Sequence, residues 1–323
     1  MLDLMAVELN PVRGHIRFNR FLISELFNRK ALNSFVTTEE IVHEYSDLIG
    51  REQFFKVYKD KFSFRVSQFF NHIKLAALII SKRKTNILLL SYYPPYFFMF
   101  SYLFELLGAK LFVIEHNTVP LNGDSWIKKL IYRSISSRVT HICLSDHIAE
   151  HIQSRYSKQA IIWPHPLIKQ NKYTRGRRPS KSYVFCPGKN VKTDEIKWLS
   201  GKLEDKGISI LCKQNVAGSC VVFQPFFDNY DELIKYSKVV FSPVDYEFRV
   251  SGVAFEAIAH GKNVVCKRTK FGLALRKRFP GNVIFTDDEN FVHKVEAAAD
   301  TFTNCELDNS TGVDALVDRI GHL

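Results

Sequence analysis

Four short stretches place a glycine, a charge or a titratable ring where an apolar run stops. In Pro11-Val12-Arg13-Gly14-His15 a glycine sits at a strand-to-helix turn. A ligand can approach the backbone there, and the helix N-terminus that follows favours an anion. Glu115-His116-Asn117-Thr118 ends the run KLFVI, with an imidazole that can exchange a proton near neutral pH. Cys186-Pro187-Gly188-Lys189-Asn190-Val191-Lys192 sets a glycine before two lysines, which suits a phosphate. It is neither a P-loop nor a dinucleotide fingerprint, since GxxxxGK[ST] and GxGxxG are absent. The fourth stretch runs from Pro243 to Lys262. Glu247 and Arg249 lie in its loop, Ser251-Gly252 opens a helix, and Glu256 follows one turn later. Backbone N–H groups at Ser251 and Gly252, with Arg249, would hold a diphosphate, and Glu256 could accept hydrogen bonds from a ribose or sugar diol. The bland alternatives are a tight turn, a histidine bonded to loop carbonyls, a solvated loop with lysines and a capped helix whose Glu faces water.

The elements that position these residues alternate strand and helix. Strands are read at residues 2–9, 32–38, 86–93, 110–117, 140–145 and 160–166, with helices at 16–30, 51–83, 96–108, 126–138 and 146–156. Residues 170–182 (QNKYTRGRRPSKS) are almost free of apolar side chains and read as a linker. The alternation restarts with strands at 182–188, 208–213, 220–225, 238–244, 263–268 and 282–287, and helices at 193–207, 230–237, 252–261 and 289–302. Such repetition implies two doubly wound parallel sheets with helices on both faces, residues 1–170 and 171–323. Two such domains end to end leave a cleft, with ligands at the carboxyl ends of the strands.

Residues 87–107 are long and apolar enough for a membrane span, but Pro94-Pro95 divides them into a strand and a helix closed by Gly108. The start of the chain lacks a basic region and reads as a strand rather than a targeting segment. Of the 323 residues 46% are hydrophobic and 24% charged, which excludes a disordered chain, a collagen or a coiled coil. Six cysteines without a CxxC pair exclude a disulfide scaffold and argue against a zinc ribbon. Cys143, Cys186, Cys212 and Cys266 read as buried thiols of a reducing compartment. The net charge of +12 is clustered: nine basic residues against two acids over 51–84, five against none over 172–181, and seven against none over 262–278. Such clusters favour anionic partners. Over 51–84 aromatics alternate with basic residues, so Lys56, Lys59 and Lys61 are expected to meet an anionic membrane surface.

Taken in order, these motifs resemble a GT-B-fold glycosyltransferase, similar to the glycosyltransferase family 4 group of bacterial polysaccharide enzymes. PVRGH resembles the N-terminal glycine loop, LFVIEHNT the strand that ends in a histidine, and CPGKNVK the glycine-plus-basic loop. GVAFEAIAHGKNVV resembles the donor-site helix and the strand after it. Glu256 matches the second of the family's two donor glutamates; the first falls on Phe248, with Glu247 one position earlier. Lys189 stands where arginine is usual and Asp194 where a second basic residue is usual, with Lys192 as the substitute.

The resemblance implies two Rossmann-like domains and transfer of a sugar from a nucleotide diphosphate sugar to a glycan or lipid-linked saccharide, in cell-surface polysaccharide synthesis. The donor would meet Gly188, Lys189, Lys192, Glu247, Arg249, Ser251, Gly252 and Glu256, and the acceptor Gly14, His15, Glu115 and His116. His116, then His15, with Glu256, would stand at the reacting centre. No metal and no cofactor are expected, and the site of action would be the cytoplasm or the cytoplasmic face of the inner membrane. A sugar-nucleotide epimerase of the same fold is the alternative, separable by product analysis without acceptor. A basic nucleic-acid-binding protein is the third reading; no reader motif supports it.

Overall fold

The computed structural model describes the chain apart from residues 1–3, 11–12, 49–52, 56–60, 83–85, 169–181, 190, 246, 299–308 and 323. The linker expected at 170–182 lies, apart from Ser182, outside the described residues. The chain divides into two units: residues 1–166 with 248–250 and 308–323, and residues 167–247 with 251–307.

In the first unit the central strands, Leu4–Glu8, Asn86–Ser91, Lys110–Glu115 and Thr140–Cys143, are buried on both faces and Gln159–Ile162 at the edge is not. β-branched and leucine-rich runs form the strands of this sheet. These are β1 (Leu4–Glu8), β2 (Leu32–Thr38), β3 (Gln53–Phe55), β4 (Asn86–Ser91), β5 (Lys110–Glu115), β6 (Thr140–Cys143) and β7 (Gln159–Ile162). They pair in parallel in the order β3-β2-β1-β4-β5-β6-β7. The order reverses between β1 and β4, so the loops after these two strands diverge and open a crevice there. The connecting helices are α1 (Ile16–Asn28), α2 (Lys61–Lys82), α3 (Pro94–Leu106), α4 (Trp126–Arg133) and α5 (Asp146–Tyr156). Pro94 and Pro95 occupy the first turn of α3, where a missing N–H costs nothing, and Gly108 at φ +84° follows its end. Met5, Val7, Leu89, Phe104 and Val113 meet in one core. Burying each such side chain stabilises by about 1.5–3 kcal/mol.

The second unit repeats the plan with β8 (Tyr183–Cys186), β9 (Ser209–Cys212), β10 (Val221–Phe223), β11 (Val239–Phe241), β12 (Asn263–Cys266) and β13 (Val283–Phe285). The order is β10-β9-β8-β11-β12-β13, again parallel, with the reversal between β8 and β11. Its helices are α6 (Thr193–Leu203), α7 (Tyr230–Tyr236), α8 (Gly252–Ala259), α9 (Lys270–Arg278) and α10 (Phe291–Ala297). The last helix, α11 (Asn309–His322), belongs to the first unit. Val313, Leu316 and Ile320 recur at helical spacing and are buried, and Arg29 at the end of α1 donates to Asp314 at 2.5 Å. This differs from a second domain running to 323, because that apolar stripe is covered by the first unit.

Residues 51–83 do not form one helix: Gln53–Phe55 is an edge strand on β2, and the helix starts at Lys61. Aromatic spacing across both segments hides the change of period. Residues 87–107 divide into β4 and α3, and among the described residues no helix is long and apolar enough to cross a membrane. The thiols of Cys143, Cys186, Cys212 and Cys266 are free and buried.

Candidate functional site

In the first unit a cavity of about 220 Å³ lies beyond the carboxyl ends of β1, β4 and β5, lined by Asn10, His15, Ser91, Tyr93, His116 and Lys128 among others. The Ser91 hydroxyl donates to the Asn10 carbonyl at 2.7 Å and accepts from the Asn10 N–H at 3.1 Å, which ties the ends of β4 and β1 together. His15 stands in a 3-10 turn before α1, and its ring stacks on His116, with the edge of Phe18 against His116 at 4.6 Å. Asn117 donates from Nδ2 to His15 Nε2 at 3.0 Å, which leaves the His15 proton on Nδ1. Among the described residues, His15 Nδ1 and His116 Nε2 are out of contact with solvent and have no hydrogen-bond partner.

Burial lowers His15 to about 4. Burial first, then the charges of His15 and His165, hold His116 well below the ordinary imidazole range. Both rings are therefore neutral at pH 7. Protonating His15 there would cost about 4 kcal/mol, so the pair suits hydrogen bonding to a hydroxyl better than storage of a proton. Gly14 is exposed, and among the described residues nothing lies within 4 Å of a Cβ added to it; Pro11 and Val12 lie outside those residues.

Glu115 does not face the strand-end surface. It is fully buried and accepts from Tyr92 at 2.7 Å, Tyr132 at 3.0 Å, His141 Nδ1 at 2.6 Å and Thr118. Burial alone would raise its pKa. The hydrogen bonds and the His141 charge outweigh that and hold it below the usual carboxylate range. Fully buried and already accepting four hydrogen bonds, Glu115 braces the His116 loop rather than offering an oxygen to an acceptor.

In the second unit the polar residues gather beyond β8, β9 and β11. Gln214 Nε2 donates to the carbonyl of Gly188 at 2.7 Å and of Lys189 at 3.3 Å, which fixes the glycine loop. Lys189 is exposed, and Lys213, just past β9, has its pKa lowered by burial and then by the Lys189 charge. Two close ammonium groups at a strand end make a place for an anion. Lys192 and Lys267 converge on Asp245 at 3.4 and 3.0 Å, and Lys267 also meets Glu195 at 2.5 Å. Ser251 caps α8, its hydroxyl accepting from Ala254 N–H at 3.4 Å and lying 3.0 Å from the Ser242 hydroxyl, so the loop between them is pinched at its base. Among the described residues nothing lies within 4 Å of a Cβ added to Gly252, so the space in front of it is open. Tyr230 donates to Glu256 Oε2 at 2.8 Å and orients that carboxylate. At the far end of α8, Gly261 at φ +70° closes the helix.

Glu247 is half-buried after β11, while residues 248–250 group with the first unit. There Phe248 stacks on His151 at 3.5 Å, and the charge of Arg249 helps hold Asp124 below its usual range. The structure thus gathers Gly188, Lys189, Lys192, Ser251, Gly252 and Glu256 on the second unit, and Gly14, His15 and His116 on the first. Arg249 lies in the stretch 248–250 that groups with the first unit. Sequence reading missed Lys213, Gln214 and Tyr230. Lys213 and Gln214 each sit one or two residues past a strand end, the signal that could have found them. The basic run 262–278 is largely paired: Arg268 with Asp287 at 2.9 Å and Asp288 at 3.2 Å, and Arg276 with Asp288 at 3.6 Å. A larger groove of about 510 Å³ near Trp198 and Asp287 lies away from the β8–β11 reversal and holds no glycine-lined backbone.

No protein-family model matches the sequence, and no curated protein does. Solved structures do match over nearly the whole chain. HepE of Anabaena, in complex with UDP, has TM-score 0.65 at 10% identity, covering 99% of this chain and 95% of that one. WaaG, a glycosyltransferase involved in lipopolysaccharide biosynthesis, has TM-score 0.59 at 12% identity, covering 100% and 94%. A candidate UDP-N-acetylglucosamine 2-epimerase of Listeria monocytogenes has TM-score 0.62 at 12% identity, covering 98% and 91%. The chain has the GT-B fold. In GT-B terms the first unit is the N-terminal Rossmann-like domain completed by α11, and the second is the C-terminal one.

Proposed function

We propose that this GT-B protein is a glycosyltransferase that moves a sugar from a nucleotide diphosphate sugar to a saccharide acceptor. The observation that carries the reading is the open approach to the backbone at Gly252, one turn before a carboxylate that Tyr230 orients. The diphosphate would lie against the N-terminus of α8 and the Lys189–Lys213 pair, and Glu256 would accept hydrogen bonds from hydroxyls of the donor. The charge that develops on the leaving diphosphate falls to these lysines, in a reaction proposed to need no metal. The acceptor hydroxyl would sit in the first unit's cavity and meet His116 Nε2, with His15 stacked behind it. HepE is described in complex with UDP and UDP-glucose, which supports a uridine donor among the candidates. Family 4 membership, a glycan or lipid-linked acceptor, a place in cell-surface polysaccharide synthesis and action on the cytoplasmic side belong to the same proposal.

The test is calorimetry with UDP, GDP, ADP and CMP, in EDTA throughout, followed by product analysis with the sugar nucleotide that binds. Binding of one nucleoside diphosphate, with transfer to added saccharide, is the expected result. No binding by any of the four would end the reading. The Listeria neighbour favours a second outcome, epimerisation of the sugar nucleotide without acceptor, which the same product analysis detects.

A further inference from the structure

The helix α2 is built inside out over its first half. Gln68, Asn71 and His72 are buried, while Val66, Phe69, Phe70 and Ile73 are exposed. Gln68 spends its amide on the Leu9 carbonyl at 2.7 Å, and His72 Nδ1 lies 2.7 Å from the Gln68 carbonyl. A helix that meets only water on its outer side carries the opposite pattern. Ile80, 62% exposed, continues the apolar stripe.

Helix α3 packs beside α2, and α4 beside α3. Helix α3 exposes Met99, Tyr102, Leu103 and Leu106, the last 85% exposed. Helix α4 exposes Trp126, Ile127 and Leu130, with Trp126 at 72%. Exposed apolar side chains on three adjoining helices exceed the scatter normal on a protein surface. The charges among them are mostly positive: Lys61, Arg65, Lys74 and Lys82 on α2, and Lys128, Lys129 and Arg133 on α4, against Glu105 alone on the three helices, with Lys128 bridged at 2.6 Å to Asp124 just before α4. A second copy would set these cations against their own kind. An anionic lipid surface offers apolar depth and opposite charge together.

We propose that α2, α3 and α4 form a membrane-binding face, on which α2 lies in the plane of an anionic bilayer and Phe70, Ile73, Leu106 and Trp126 enter its interfacial layer. The sequence expectation centred on Lys56, Lys59 and Lys61, whose side chains lie outside the described residues. The face found here is apolar first and basic at its rim. Tyr93 and Pro94 at the start of α3, and Lys128 in α4, also line the cavity assigned to the acceptor. The same helices therefore serve both places. The membrane contact stands without the proposed transfer; only the idea that a lipid-borne acceptor arrives on this side rests on that reading.

The experiment is sedimentation of the full chain with vesicles of phosphatidylcholine, alone or with phosphatidylglycerol. Binding should require the anionic lipid, weaken as salt rises and yet persist in part at about 0.5 M, where exposed ion pairs are screened. Trp126 emission should be quenched by lipids brominated on the acyl chain, a signal lost in Trp126→Phe. Phe70→Glu and Leu106→Glu should each reduce partitioning about tenfold, with an unchanged circular dichroism spectrum and unchanged UDP affinity. Three results would overturn the proposal. The protein could stay in the supernatant at low salt. Lys129→Glu with Arg133→Glu could abolish binding while Phe70→Glu and Leu106→Glu have no effect. Ultracentrifugation could show a dimer that Phe70→Glu dissociates. Loss of nucleotide binding with vesicle binding intact would count against the proposed transfer alone.

Discussion

His15 and His116 lie ring on ring, their centroids 4.0 Å apart with 24° between the planes. Two imidazolium rings could not share that contact, so the stack itself requires at least one neutral partner. Burial lowers His15 to about 4, and burial first, then the charges of its neighbours, holds His116 well below the ordinary imidazole range. Histidine NMR should show both rings still neutral at pH 5.5, below the unperturbed midpoint near 6.5. Midpoints at the ordinary value would show that water reaches the pair. His116→Ala should lower kcat by about 100-fold.

Glu256 and Tyr230 form a second testable pair. Glu256→Gln should reduce turnover by about 100-fold or more while the protein stays folded. Tyr230→Phe removes one donor from Oε2 and leaves the carboxylate charge, so its loss should be smaller, about tenfold. Steady-state kinetics with a sugar nucleotide ranks the two. Equal losses would show that orientation, not charge, is what the carboxylate contributes.

Ser251→Ala removes the cap of α8 and the hydroxyl partner of Ser242 together. A lost cap costs about 1 kcal/mol. The expected outcome is a lower Tm together with weaker UDP binding, read by thermal shift with and without nucleotide. An unchanged ligand-induced shift would confine Ser251 to a structural role.

Glu8, at the end of β1, is fully buried and accepts from Asn19 at 2.7 Å, Tyr45 at 3.1 Å and Thr37 at 3.2 Å. Burial raises its pKa to about 7, against the lowering effect of those three hydrogen bonds. The folded state therefore keeps a proton that the unfolded chain gives up. The stability gained is complete below about pH 4.5 and is lost as pH rises through 7. Glu8→Gln should gain about 1 kcal/mol relative to the parent between pH 6.5 and 8.5, measured by urea denaturation at both values. A constant difference would show that Glu8 does not titrate there.

The parts of this architecture that depend on neighbours in the chain were legible in sequence. Residues 32–38 read as a strand and form one, and Pro94-Pro95 separates β4 from α3 because proline fits a first helical turn and not a strand interior. The glycine at 252 before Glu256 also has the open approach that its position suggested. What escaped depends on partners distant in sequence. Glu115 is the last residue of its strand, and nothing local says which way it points; the partner that decides is His141, 26 residues on. The basic run at 262–278 gave no sign that Asp287 and Asp288 would neutralise Arg268. Helix α9 was hidden inside that run of charge, and α11 in residues that show their apolar spacing only once a surface to receive it is known.

That α11 completes the first unit bears on biosynthesis. Residues 308–323 leave the ribosome after every strand of the second unit has been made. Until then the seat for Val313, Leu316 and Ile320 is open, and Arg29 lacks Asp314. The first unit, though synthesised first, is finished last. A nascent chain stalled within α10 would carry an exposed apolar strip, the kind of surface that holding chaperones bind.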